Sequence, residues 1–275
     1  MNAVLSRNTP RIDHRAAMTR RQLPYANMDY AAVGNALQVV SEELCESVNL
    51  CQEQQVLDVA TGSFNASLAA ARRWCDVTAT DHASDLLHRS RQRREVESMG
   101  IRIVDGDVEG LPFGDQSFDA VLSCFGAMFA ADQERAASEM IRVCRRGGRV
   151  GLTNWTPDGF IGQLFRIVHR HAVQAAAGMS CDWGIRDRME ELFGAYGNIE
   201  TEARRIAFRC ATPMDWVDRL RTAYLPVHGI FATLDAERKR ALRSELLALV
   251  ARFNRAKDGT MVVDAAYLEV MITRR

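Results

Sequence analysis

Two hydrophobic rhythms alternate along the first half of the chain. Residues 30–48 carry apolar side chains at helical spacing (Ala32, Val33, Ala36, Leu37, Val40, Leu44), which predicts an amphipathic helix. The run Gln55-Val56-Leu57-Asp58-Val59-Ala60 is nearly continuous, short, and closed by Thr61-Gly62. It predicts a strand buried on both faces that feeds a turn. An Ala-rich helix is expected at 65–74, then a β-branched strand at 76–80 ending at Asp81. A charged helix over 84–99 stops at Gly100, a good C-terminal signal. Further strands are expected at 101–104, 118–123 and 149–153, with a helix at 133–144 closed by Arg146-Gly147-Gly148. Strands separated by helices imply right-handed crossovers and a parallel sheet.

The rhythm changes after Trp155. A turn at Thr156-Pro157-Asp158-Gly159 leads to helices at 160–177 and 186–196, and 199–208 alternates as a strand. Helices follow at 213–223 and 235–254, and an apolar strand at 266–273. No repeat, low-complexity linker or Pro/Gly-rich boundary divides the chain. Residues 1–24 therefore read as a flexible tail and 25–275 as one domain, with cap helices at about 156–195 and 210–262.

Charge narrows the partners. Thirty-five Lys and Arg balance 35 Asp and Glu, whereas a nucleic-acid binder usually carries a basic excess for phosphate contacts. Only the tail is basic, with Arg7, Arg11, Arg15, Arg20 and Arg21 against Asp13, and it reads as a solvated end. An apolar content of 47% is that of a globular chain. No run reaches the ~18 apolar residues of a membrane span, and the first 24 residues lack the apolar core of a secretory signal. Seven cysteines without a CxxC pair read as reduced thiols packed as small hydrophobes in a cytoplasmic protein, with no zinc site. Oligomeric state stays open, a homodimer included.

The candidate chemistry lies in VLDVATGSFNASLA. A Gly-bearing turn between strand and helix brings backbone close to a ligand, and the helix start offers free N–H groups. Asp81 ends the next strand, 19 residues after Gly62, where a carboxylate takes both hydroxyls of a ribose. Asp107, in GDVEGLPF, is placed to accept from an adenine amino group. These positions end adjacent strands and point to an adenosine-containing cofactor. A dinucleotide site needs GxGxxG; this turn has one glycine, Gly62, with Ala60 and Phe64 two residues to either side of it, which argues against NAD.

The ordered motifs VLDVATGS, TDHA, GDVEGLPF, SFDAVLSCFGAMF and MIRVCRRGGRVGLTNW resemble those of class I S-adenosylmethionine-dependent methyltransferases, in the branch that includes ubiquinone/menaquinone C-methyltransferases. The resemblance covers roughly residues 30–155, and the late strands fit the family's antiparallel sixth and seventh. It implies a doubly wound, seven-stranded, mostly parallel Rossmann-like α/β sheet with helical cap insertions, and S-adenosylmethionine as cofactor. By that resemblance Ala60 and Gly62 lie against the methionine part, with Asp58 and Phe64 on the same strand and turn. Asp81 binds the ribose with His82 beside the adenine, Asp107 and Val108 hold the adenine, and Ser123 approaches the amino group with Phe125 nearby. Phe64 departs from the family's glycine. Either its ring turns into neighbouring apolar residues and binding survives, or it reshapes the pocket and leaves a repurposed or non-catalytic fold.

Methyl transfer from a sulfonium needs an in-line nucleophile, and a base only if that nucleophile must lose a proton. His228, expected in the loop after the 213–223 helix, and Tyr224 are the candidate catalytic pair. His169 and His171 are the other histidines in the cap, but i,i+2 residues on a helix face different ways, which disfavours a metal. Met128, Phe129 and Trp155 follow strand ends and are candidates for the substrate pocket. The cap carries Phe160, Ile161, Leu164, Phe165, Trp216, Tyr224, Leu225 and Phe231, an apolar lid suited to a small, largely apolar acceptor.

Overall fold

The computed structural model describes residues 34, 36–82, 99–172 and 180–275. The expected tail, the helix at 84–99 except its last residue, and the start of the 30–48 helix lie outside the described residues. In chain order the strands are β1 (Gln55–Val59), β2 (Asp76–Asp81), β3 (Arg102–Asp105), β4 (Phe118–Cys124), β5 (Cys144–Trp155), β6 (Gly197–Cys210) and β7 (Met261–Arg274). The helices are α1 (Gln38–Val48), α2 (Asn65–Ala71), α3 (Gln133–Val143), α4 (Phe160–His171), α5 (Arg186–Phe193), α6 (Pro213–Ala223), α7 (Leu225–Thr233) and α8 (Ala236–Phe253).

The strands form one sheet in the order β3-β2-β1-β4-β5-β7-β6. Strands β1 to β5 run parallel, and β7 lies antiparallel between β5 and β6. This is the doubly wound, seven-stranded sheet expected. Alternate residues of a strand face opposite layers. On β1, Val56 joins Leu44, Cys45, Val48 and Leu68 of α1 and α2, while Leu57 and Val59 join Met140, Ile141 and Val143 of α3. The order reverses between β1 and β4, so the crevice of an open α/β sheet falls at their carboxyl ends.

Several boundaries differ from the sequence pattern. α3 ends at Val143, and 144–148 belongs to β5 instead of a turn. Phe118 pairs with Cys144 and Ala120 with Arg149, so β5 bulges by three residues, with Gly147 at φ +75°. β6 and β7 are longer than expected because they pair without a break from Gly197↔Arg274 to Cys210↔Met261. α5 stops at Phe193 and packs on α3, where Arg188 bonds Gln133 and Glu134, so it flanks the sheet and does not cap it. α7 replaces the loop expected after α6; Pro226 sits in its first turn, where a missing N–H costs nothing.

Helices α4, α6, α7 and α8 form the cap. Phe160 meets Trp216 at 5.0 Å and Phe253 at 5.5 Å, and Phe165 lies parallel to Tyr224 at 6.1 Å. Caps fix the helix starts: Thr212 accepts from the Asp215 N–H at 3.1 Å, and Asp235 from the Arg238 N–H at 2.8 Å.

Candidate functional site

The turn after β1 is built from left-handed backbone. Ala60, Gly62 and Phe64 have φ of 51°, 54° and 63°. Left-handed geometry costs a non-glycine residue roughly 1–2 kcal/mol, and such strain persists only where the surroundings hold it. Those surroundings are visible. The Thr61 N–H donates to the Thr80 carbonyl at 3.2 Å, and the Phe64 N–H to Thr61 at 3.0 Å. Gly126, after β4, presses on the turn so closely that a Cβ there would stand 2.4 Å from the Ala60 carbonyl oxygen. The Gly62 N–H donates to Asp81 Oδ2 at 3.0 Å. A carboxylate, a glycine turn and a helix start therefore converge at the switch point.

Asp58 sits beneath the turn, fully buried. Its Oδ2 accepts from the Thr61 hydroxyl (2.5 Å), the Ser67 N–H (2.9 Å) and the Ser67 hydroxyl (2.6 Å). Its Oδ1 has no partner among the described residues. Burial outweighs those three bonds and pushes the carboxyl up to about 6. The folded protein thus holds this proton more tightly than the unfolded chain. Its stabilising contribution is full below about pH 4 and is lost as pH rises through 6. At about 1.36 kcal/mol per pKa unit, Asp58→Asn should remove a stability loss of about 3 kcal/mol at most between pH 4 and 7. Urea unfolding of both proteins across that range checks it, and parallel profiles would contradict it.

The remaining cofactor candidates occupy the same edge. Ser123 is buried, donates to the Val59 carbonyl at 3.1 Å and accepts from the Ala127 N–H at 2.9 Å, tying β4 to β1. Asp107 is half-buried and accepts the Glu109 N–H at 3.0 Å, which shapes the loop after β3; Val108 packs on the core beside it. His82 is exposed, with Nδ1 3.6 Å from Asp81 Oδ1. Phe64 is different. Its ring is wholly buried in the cluster with Leu44, Val56, Leu68 and Val77. Of the two expected placements the structure shows the first: the Phe64 ring turns into neighbouring apolar residues, and only its backbone belongs to the turn.

At the carboxyl ends of β4 and β5, Phe125 stacks on Trp155 at 3.8 Å, with Tyr267 edge-on at 5.5 Å and Phe208 6.1 Å from Trp155. The Tyr267 hydroxyl donates to Glu43 at 3.1 Å. Met128 is buried and Phe129 lies against Phe165 at 5.7 Å, between the β4 end and the cap. His228 stands on α7, not in a loop. Its Nδ1 is 2.9 Å from the Arg221 carbonyl, which can only accept, so Nδ1 carries the hydrogen and Nε2 is the basic nitrogen. Tyr224 sits one helical turn earlier, against Phe165. His171 bonds Glu245 at 2.8 Å and so clamps α4 to α8, while His169 is exposed.

Gly126, Thr61, Ser67 and Tyr267 were not singled out from sequence. Gly126 was visible as a glycine just past a strand; the two hydroxyls and Tyr267 gave no signal, since their partners come from other elements.

A methyltransferase-domain family model matches residues 57–152, the span from β1 to β5 that carries the turn, Asp81, Asp107 and Ser123. An uncharacterized protein of Mycobacterium tuberculosis is 34% identical over 244 residues, covering 83% of this chain and 89% of that one. Demethylmenaquinone methyltransferase of Deinococcus radiodurans is 34% identical over 124 residues, covering 44% and 52%. The structure of Haemonchus contortus phosphoethanolamine N-methyltransferase 2 in complex with S-adenosyl-L-methionine matches with a TM-score of 0.61 at 16% identity, covering 96% of this chain and 60% of that one. The chain carries a methyltransferase domain on the doubly wound sheet of class I methyltransferases.

Proposed function

We propose that this protein transfers a methyl group from S-adenosylmethionine to a small, largely apolar acceptor by in-line displacement. The observation that carries the reading is the strained turn at 60–64, pinned between Gly126 and the Asp81 carboxylate at the switch point of the sheet. The chain's own groups suit such a cofactor. On this reading Asp81 takes the ribose hydroxyls, Asp107 and Val108 the adenine, and Ala60 and Gly62 the amino-acid end. Asp58 Oδ1 is a buried acceptor lacking a partner among the described residues just under the turn, and Ser123 ends the neighbouring strand β4, bonded to the Val59 carbonyl.

The cofactor supplies an electrophilic methyl group. The protein's part is to orient the acceptor and exclude water; proximity and orientation alone account for roughly 7–11 kcal/mol in favourable cases. The aromatic group around Trp155, with Met128 and Phe129, forms one wall, and the apolar cap covers it. His228 Nε2 is the group we assign to take a proton from the acceptor, with Tyr224 beside it. The repurposed-fold alternative rested on Phe64, and with that ring in the core nothing on the turn argues for it.

A transfer assay with labelled S-adenosylmethionine and a panel of hydroxylated aromatics, quinols and amines tests the reading. Transfer to an apolar, uncharged member is expected, with His228→Ala lowering kcat more than KM. Transfer only to charged or polymeric acceptors would overturn it.

A further inference from the structure

The cysteines divide into a packed group, a pair on neighbouring loops, and Cys210 at the end of β6. Cys45, Cys144 and Cys181 are buried, and burial pushes the thiols of Cys144 and Cys181 up to about 12. Cys124, pushed up to about 11, accepts from the hydroxyls of Ser41 and Thr153. These are inert packing residues. Cys51 is exposed and Cys75 half-buried, and they lie in the neighbouring loops that enter β1 and β2. The Cys75 thiol donates to the Cys51 carbonyl at 3.3 Å. Bond geometry then puts the Cys75 sulfur roughly 6 Å or less from the Cys51 Cα, so a disulfide needs the Cys51 side chain to turn from the Asn49 carbonyl toward it.

The two loops are held in register. The Glu53 N–H donates to the Trp74 carbonyl and the Asp76 N–H to Gln54, both at 2.9 Å. The Gln55 amide donates to Asp76 at 2.8 Å. The Cys51 thiol rests 3.6 Å from the Asn49 carbonyl on the exposed side.

We propose that Cys51 and Cys75 form an intramolecular disulfide on meeting a small-molecule disulfide such as oxidised glutathione. The exposed Cys51 thiolate attacks one glutathione sulfur, forms a mixed disulfide and releases one glutathione thiolate. The Cys75 thiolate then attacks the Cys51 sulfur and releases the second. Two protein thiols are oxidised and one glutathione disulfide is reduced to two thiols. Burial, with the Cys51 thiol beside it, holds the Cys75 thiol above its ordinary value, so closure quickens as pH rises. The bond encloses β1, the turn at 60–64 and α2 in one covalent loop, tied at the end of the sheet opposite the turn. It thereby staples the unit that carries the turn without touching it.

Thiol counting after treatment of the full chain with oxidised glutathione tests this. The count should fall from seven to five, with a peptide linking residues 51 and 75 and a Tm higher by about 5–10 °C, all reversed by dithiothreitol. Cys51→Ser or Cys75→Ser should block the change, whereas Cys210→Ser should not. A count that stays at seven, a glutathione adduct that persists on Cys51 beside a free Cys75, or a link between two chains would each overturn the proposal.

Discussion

Replacing Asp81 by alanine should weaken S-adenosylhomocysteine binding about 100-fold while leaving the fold intact. The carboxylate ends β2 at the crevice, 95% buried, and already takes the Gly62 N–H at 3.0 Å. Hydrogen bonds to a charged group contribute about 1.5–3 kcal/mol each. Loss of a pair to the ribose would exceed the ~2.8 kcal/mol that corresponds to 100-fold. Asp81→Asn keeps one acceptor and should lose less, about 10-fold. Calorimetric titration of the three proteins reads this directly. An unchanged dissociation constant in the alanine variant would mean that the ligand does not sit on β2.

The second large effect is on stability. Phe64→Ala empties a fully buried ring position between α1, α2 and β1, and such truncations cost about 3–5 kcal/mol. For a chain of this size that corresponds to a Tm lower by roughly 10 °C. S-adenosylhomocysteine affinity of the folded variant should stay within about 3-fold, since the ring does not line the turn. Phe64→Leu, which keeps an apolar side chain in the gap, should recover most of the stability. A large loss of affinity with unchanged Tm would place the ring at the ligand instead.

Phe64 also marks where sequence reading runs out. A residue at a glycine position of a turn announces itself, but whether its ring faces ligand or core depends on α1, which packs over the turn from outside the motif. The parallel half was legible because strands buried on both faces leave continuous apolar runs, as in Val56-Leu57-Asp58-Val59. The antiparallel half was blurred at its ends. Arg145, Arg146 and Gly147 are exposed, so β5 starts without an apolar signal. α7, with Pro226 and Gly229, carries the residues of a loop yet is helical, packed on α4 and α6. At the site, Gly62 and Asp81 stood out through their spacing, and Asp58 through the family resemblance. Thr61 and Ser67, which hold Asp58, did not, because hydroxyl partners are set by the turn's conformation.

His228 shows the same limit. Its side chain bonds the Arg221 carbonyl one helix earlier, an orientation that no local pattern announces, and its role in proton transfer rests on the transfer assay.

The central claim is that the strained turn and Asp81 form the seat of a sulfonium cofactor. The most direct measurement is calorimetric titration of the native chain with S-adenosylmethionine and S-adenosylhomocysteine. Saturable binding of one molecule per chain, lost in Asp81→Ala, is the predicted result; no heat of binding from either compound with the folded native protein would contradict it.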